Sequence, residues 1–264
     1  MSSDEPVHLT RWGDTGPRLI PIHGGAQGGS VGGDRLFARQ QRLAERGYQL
    51  VVPDRPGHGR SPAPGRPDDA AADGVWAAEL IGDGAHLVGH SFGGCVALDA
   101  ASRRPEAVRS LTLIEPAMQR LATGDPNVRR LGLRMMAILL LSFSARSRVR
   151  RVARLLGIPP EIRSNASPAE EKALGKALRR LVLPTRASLE RQLEIVRSRG
   201  IPLLLVTGGW SPAFEAVGDA VATAGAGKRL VVPSEHHFPH LVSGAFNEAW
   251  VEFVEGPARV AGRM

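Results

Sequence analysis

Short apolar runs that each end in a Gly- or Pro-rich turn, with helix-length stretches between them, restrict the fold of this chain more than any other feature. Leu19 to Ile22, Leu50 to Asp54, Ala85 to Gly89, Ser110 to Ile114 and Pro202 to Val206 read as strands, with His8 to Trp12 as an early edge strand and Arg229 to Val232 as a late one. Leu36 to Glu45, Asp68 to Leu80, Phe92 to Arg103, Ala213 to Ala222 and Phe246 to Val254 read as helices. That alternation predicts an α/β architecture, a mostly parallel central sheet flanked by crossover helices.

The alternation stops once. From Gln119 to Arg199 strand patterns give way to helical periodicity with arginines on the polar positions, interrupted at Pro159-Pro160, Pro168 and Pro184. The expected organisation is therefore a core formed by residues 1–118 and 200–264 with a helical insertion at 119–199. A length of 264 residues suits one large domain of this kind.

Charge follows the same division. The chain carries a formal +8, yet residues 119–199 alone hold 18 Lys and Arg against 6 Asp and Glu, so the remainder is slightly acidic. A nucleic-acid partner is not expected, because Phe143 is the only aromatic residue in the basic segment and base stacking needs more. The single cysteine, Cys95, excludes an internal disulfide framework and a Cys-rich metal site, and reads as a small buried residue. The N-terminal Met1-Ser2-Ser3-Asp4-Glu5 has neither the basic start nor the apolar stretch of a signal peptide, which points to the cytoplasm. The longest apolar run, Met135 to Leu141, is too short to span a bilayer.

Chemistry concentrates where strands end. Gly89-His90-Ser91-Phe92-Gly93 is a Gly-x-Ser-x-Gly pattern with a strand before it and a helix after it. In that context the serine sits on a strained turn, its hydroxyl above the carboxyl edge of the sheet, and the glycines relieve crowding around it. A serine hydroxyl needs a base. Of eight histidines, His8 and His86 lie within strands, His90 abuts the nucleophile, and His23 and His58 sit in Gly-rich turns; the loop Glu235-His236-His237-Phe238-Pro239-His240, after the last strand, where a side chain can swing over the carboxyl edge of the sheet, holds three candidates. The developing oxyanion needs two backbone amides. Phe92, after the nucleophile, supplies one, and Gly25 in the loop His23-Gly24-Gly25 supplies the other.

The ordered series His23-Gly24, Asp54-Arg55-Pro56-Gly57-His58-Gly59-Arg60-Ser61, Gly89-His90-Ser91-Phe92-Gly93-Gly94 and a late His-Phe-Pro resembles the α/β-hydrolase fold family of the serine-nucleophile type, over essentially the whole chain. The resemblance implies that His237 is the catalytic histidine, with His236 on the small residue before it and His240 a pocket or surface residue. It also implies an acid in a Gly-x-x-Asp turn after the Leu203 to Val206 strand. Here that turn reads Gly208-Gly209-Trp210-Ser211, so Ser211 stands where the acid belongs. Glu115, one strand over, is the expected replacement; Glu215 and Asp219 are expected on a helix, pointing elsewhere.

The insertion falls where similar proteins carry a helical cap. Its Leu131, Met135, Met136, Ile138, Leu139, Phe143 and Leu155 are expected mainly to pack the cap against the core, some of them reaching the substrate. Arg146, Arg148, Arg150, Arg151 and Arg154 are expected to form a solvated basic face rather than a membrane-surface helix. The implied activity is that of a hydrolase of an ester, lactone or thioester of a hydrophobic small molecule, through an acyl-enzyme on Ser91, without cofactor or metal. Intramolecular acyl transfer, carbon–carbon bond cleavage and ligand binding without turnover are the alternatives. Oligomeric state is left open, a homodimer included. The Asp54 to Ser61 turn is assigned no chemistry: Asp54 is expected to order the loop.

Overall fold

A computed structural model of the chain describes residues 6–159, 162 and 166–256. The N-terminal pentapeptide and Pro160, on which two of the expectations above rest, lie outside them.

Seven strands form one sheet in the order β1-β3-β2-β4-β5-β6-β7: β1 (Leu9–Trp12), β2 (Arg18–Ile22), β3 (Gln49–Pro53), β4 (Ala85–His90), β5 (Val108–Ile114), β6 (Leu203–Thr207) and β7 (Lys228–Val231). Only β1 is antiparallel to its neighbour; the other pairings are parallel. All residues of β4 and β6 are buried, as expected for strands covered on both faces. The register sets His90 opposite Ile114 and Ile114 opposite Val206, so the carboxyl ends of β4, β5 and β6 lie side by side. The crevice beyond those ends is where open α/β sheets hold ligands.

Helices cover both faces: α1 (Gly33–Leu36), α2 (Ala70–Ile81), α3 (Phe92–Arg103), α8 (Pro212–Gly225) and α9 (Ala245–Glu255), with α4 (Pro126–Leu141), α5 (Ala145–Leu155), α6 (Pro168–Ala177) and α7 (Arg186–Ser198) between β5 and β6. Asp69 starts α2 by accepting the amides of Ala71 and Ala72, and Ser167 and Glu170 form a reciprocal capping box on α6. One expected helix differs. Leu36 to Glu45 is not continuous: Phe37 leaves helical geometry at φ −124°, ψ 24°, and Ala38–Arg46 continues as a tighter 3₁₀ turn ending at left-handed Gly47. The break lets Phe37 bury fully in the core.

The apolar core has two parts, one on each side of the sheet. Ile20, Leu87, Leu111 and Leu205 pack beneath α2, α3, α7 and α8, while Leu50, Val88, Ile114 and Val206 pack against Phe37, Phe246 and Trp250. Between β5 and β6 the described residues contain helices and no named strand.

Candidate active site

Ser91 begins α3 with φ 56° and ψ −120°, a left-handed conformation that a serine adopts only under constraint. The constraint is backbone: its amide donates to Ile114 and its carbonyl accepts from Gly94 and Ala117. A Cβ on Gly93 would lie 2.2 Å from the Ile22 carbonyl oxygen, so nothing larger than glycine fits two residues after the serine. Phe92 occupies the first helical position, where the amide has no intrahelical acceptor. The Gly-rich loop crosses directly above: a Cβ on Gly24 would come 2.7 Å from Ser91 Cβ, and Gly25, at φ 95°, is the exposed residue that follows.

His237 reaches the same place from the loop after β7. His90 Nε2 donates to the His237 carbonyl over 2.7 Å, tying that loop to the residue before the serine. The His237 ring packs 4.6 Å from Phe214 and 4.8 Å from His90, and its Nδ1 lies 2.6 Å from Glu115 Oε2. Glu115 is wholly buried and has φ 40°. Among the described non-glycine residues only Ser91, Glu115 and Ala226 have positive φ, so two of the three strained positions stand at adjacent strand ends in this site.

The turn expected to carry the acid instead holds Glu115. Gly208 N donates to Oε1 over 2.9 Å, and Trp210 Nε1 donates to Oε1 and Oε2 over 2.8 and 3.0 Å. Neither donor role was apparent in the sequence, since an indole 95 positions away gives no local signal. Ser211 makes no capping bond at the start of α8. Glu215 bonds Thr207, Gly209 and Arg229, and Asp219 bonds Arg229, so both rival carboxylates are engaged elsewhere.

The other histidines separate cleanly. His240, expected in a pocket or at the surface, is fully buried: Nε2 donates to the Leu36 carbonyl and burial lowers its pKa to about 3. Burial likewise lowers His23 to about 3, with Arg55 adding to the effect, and holds His90 well below its ordinary value. His236 is half-buried and accepts the Phe238 amide at Nδ1. Cys95 is buried, and burial pushes its thiol up to about 12.

Asp54 orders its loop: it accepts the amides of Gly33 and Arg60 and the Arg60 side chain. Burial works to raise its pKa, but the bonds from Arg60 and Gly33 outweigh it, and the carboxyl stays below the usual range. Arg55 has a role the sequence reading left out. Fully buried, it pairs with Asp68 and Asp73 and stacks 4.5 Å from the centre of the Phe92 ring, while Asp68 also accepts the Gln27 amide of the Gly-rich loop. Arg55 and Asp68 thereby brace both segments that carry Gly25 and Phe92.

The helices between β5 and β6 touch the loops around Ser91. Glu170 at the start of α6 accepts the Ser30 amide over 3.0 Å, and a Cβ on Gly28 would lie 2.6 Å from Ala173 Cβ. On the other side a Cβ on Gly157 would lie 3.4 Å from His236 Cα.

A sequence model described as the alpha/beta hydrolase fold matches residues 17–137. Lipase LipV of Mycobacterium tuberculosis is 38% identical over 117 residues, covering 42% of each chain. The pimeloyl-[acyl-carrier protein] methyl ester esterase of Chromobacterium violaceum is 41% identical over 102 residues, 38% of this chain and 37% of that one. The matched stretch is thus about two-fifths of these relatives' length. Among solved structures, a hydrolase from Pseudomonas aeruginosa superposes with a TM-score of 0.67 at 20% identity, covering 96% of this chain and 97% of that one. An esterase from Exiguobacterium antarcticum gives 0.65 at 21% identity, covering 95% and 96%. The chain has the α/β-hydrolase fold.

Proposed function

We propose that this protein is a serine hydrolase that cleaves an ester, lactone or thioester of a hydrophobic small molecule. The observation that carries the reading is the buried 2.6 Å contact between His237 Nδ1 and Glu115 Oε2, beside a serine held on a strained strand-to-helix turn. That arrangement fixes the imidazole with Nδ1 committed to the carboxylate and Nε2 left for the nucleophile.

In this reading the Ser91 Oγ forms a bond to the substrate carbonyl carbon while its proton passes to His237 Nε2. The carbonyl electron pair moves onto oxygen, where the Gly25 and Phe92 amides receive it, and the Glu115 carboxylate balances the imidazolium. Collapse breaks the bond to the leaving group, which takes the proton from His237. Water then adds to the acyl-enzyme as His237 accepts its proton, and expulsion of Ser91 returns that proton to the serine.

The apolar rings of Phe214, Trp210 and Phe238 around His237 support a hydrophobic substrate. So do the names of the two similar proteins above, a lipase and a methyl ester esterase. Helices α4 to α7 act as a cap in this proposal, resting on both loops that flank the serine.

Intact mass after exposure to a fluorophosphonate tests the reading without knowledge of the substrate. One adduct per chain on the wild type and none on Ser91→Ala is expected. Folded wild type that takes no adduct, or Ser91→Ala that takes one, contradicts it, and the first result would favour ligand binding without turnover.

A further inference from the structure

Helix α4 turns its most apolar face outward. Leu133, Met136, Ala137, Leu140 and Leu141 follow the i, i+3, i+4, i+7, i+8 spacing of a single helical stripe, and all five are exposed, Leu133 by 73% and Leu141 by 69%. Phe143, just past the helix, is fully exposed. The opposite face meets the protein through Val128 and Ile138. The expectation that these apolar residues pack inward therefore fails for Met136 and Phe143. A continuous apolar stripe left open on a folded chain marks a contact surface.

Charge indicates what it contacts. A groove of about 450 Å³ joins Ala137 and Arg134 of the exposed α4 face to Arg151 and Arg154 of α5. A second, of about 510 Å³, continues from Arg151 and Arg154 to Arg146 and Arg150. Glu171 bridges Arg146 and Arg150, but among the described residues no carboxylate pairs with Arg129, Arg130, Arg134, Arg151 or Arg154. From Pro126 to Leu156 the sequence contains no Asp or Glu. A second copy of the chain would set arginine against arginine across a two-fold interface. An anionic bilayer matches both halves of the surface, its phosphates meeting the guanidinium groups and its acyl region receiving Leu133, Leu140 and Phe143. Among the described residues no helix is long and apolar enough to cross a membrane, so the contact is with the surface.

We propose that the α4 stripe and the exposed α5 arginines Arg151 and Arg154 form a docking face for anionic lipid membranes; Arg148, expected on this basic face, is instead buried and donates to the Gly175 carbonyl. The inference stands apart from the chemistry at Ser91, and its test does not use activity.

Sedimentation of the full chain with vesicles of phosphatidylcholine alone, or of phosphatidylcholine with phosphatidylglycerol, reads it directly. At low salt, affinity for the anionic vesicles is expected to exceed that for the neutral ones by about tenfold or more, and to fall as salt is raised to about 0.5 M. Leu140→Asp with Phe143→Asp, and separately Arg151→Glu with Arg154→Glu, should each weaken anionic-vesicle binding by about tenfold. All four side chains are solvent-exposed, so the melting temperature should stay near that of the wild type. Failure of the folded wild type to bind anionic vesicles overturns the proposal. So does equal, salt-insensitive binding to both vesicles, or a wild-type dimer that Leu140→Asp with Phe143→Asp dissociates in the absence of vesicle binding.

Discussion

The carboxyl ends of β5 and β6 are neighbours in the sheet and are built for opposite purposes. The β5 end presents one carboxylate, Glu115, on a left-handed backbone, buried and aimed at His237. The β6 end presents donors: the Gly208 amide and the Trp210 indole, both spent on Glu115. In the serine-nucleophile pattern the second turn carries the acid. Here it carries the clamp, and in the proposed function the acid stands one strand closer to the serine. A histidine of this kind needs an anion within hydrogen-bond reach of Nδ1, and two adjacent strand ends satisfy that geometry, so the role is tied to the position in space rather than to a position in the chain.

If the two ends divide the work in this way, substitutions along them should have graded effects on kcat/KM for any ester the protein turns over. Glu115→Gln keeps the shape and removes the charge; a loss of about 10³- to 10⁴-fold is expected, measured by steady-state kinetics. Gly208→Ala puts a Cβ 3.1 Å from Glu115 Oε1 and 2.8 Å from Trp210 Cδ1, which displaces both partners of the clamp. A drop of about 10- to 100-fold is expected, because small misplacements of catalytic groups are costly. Trp210→Phe deletes the indole donor and keeps most of the ring. It should cost about tenfold, the value of a hydrogen bond to a charged group, and should appear in kcat rather than KM. Ser211→Ala touches no bond to Glu115 or His237, and its rate should stay within about twofold of the wild type. A Ser211→Ala loss larger than that of Trp210→Phe would reverse the assignment of the two turns.

Much of this was legible in the chain because it is written locally. The apolar runs mark β2 to β6 since strands covered on both faces have nowhere to place polar residues. The strand-to-helix turn at Ser91 is legible because close approach permits only glycine at Gly93, and Glu115 is legible as the carboxylate at the end of the neighbouring strand once Ser211 is seen where the family places its acid. What escaped depends on distant partners. Nothing around Trp210 announces that its indole completes the site of a carboxylate on another strand. Arg55 looks like a loop residue until the fold buries it between Asp68 and the Phe92 ring. His240 reads as a pocket histidine until Leu36, far away in sequence, supplies its acceptor. The direction of the α4 stripe is likewise hidden, because periodicity gives a face and tertiary packing decides where it points. The broken helix at Phe37 belongs with these, since the pull on that ring comes from the core rather than from its neighbours in sequence.

The most direct measurement is the rate at which a fluorophosphonate labels Ser91 in the wild type, in Glu115→Gln and in Ser211→Ala, read by intact mass over time with each variant shown to be folded. Labelling should slow by orders of magnitude in Glu115→Gln and remain at the wild-type rate in Ser211→Ala. Equal rates for wild type and Glu115→Gln, or a slow Ser211→Ala, would contradict the claim that the acid serving His237 stands at the end of β5.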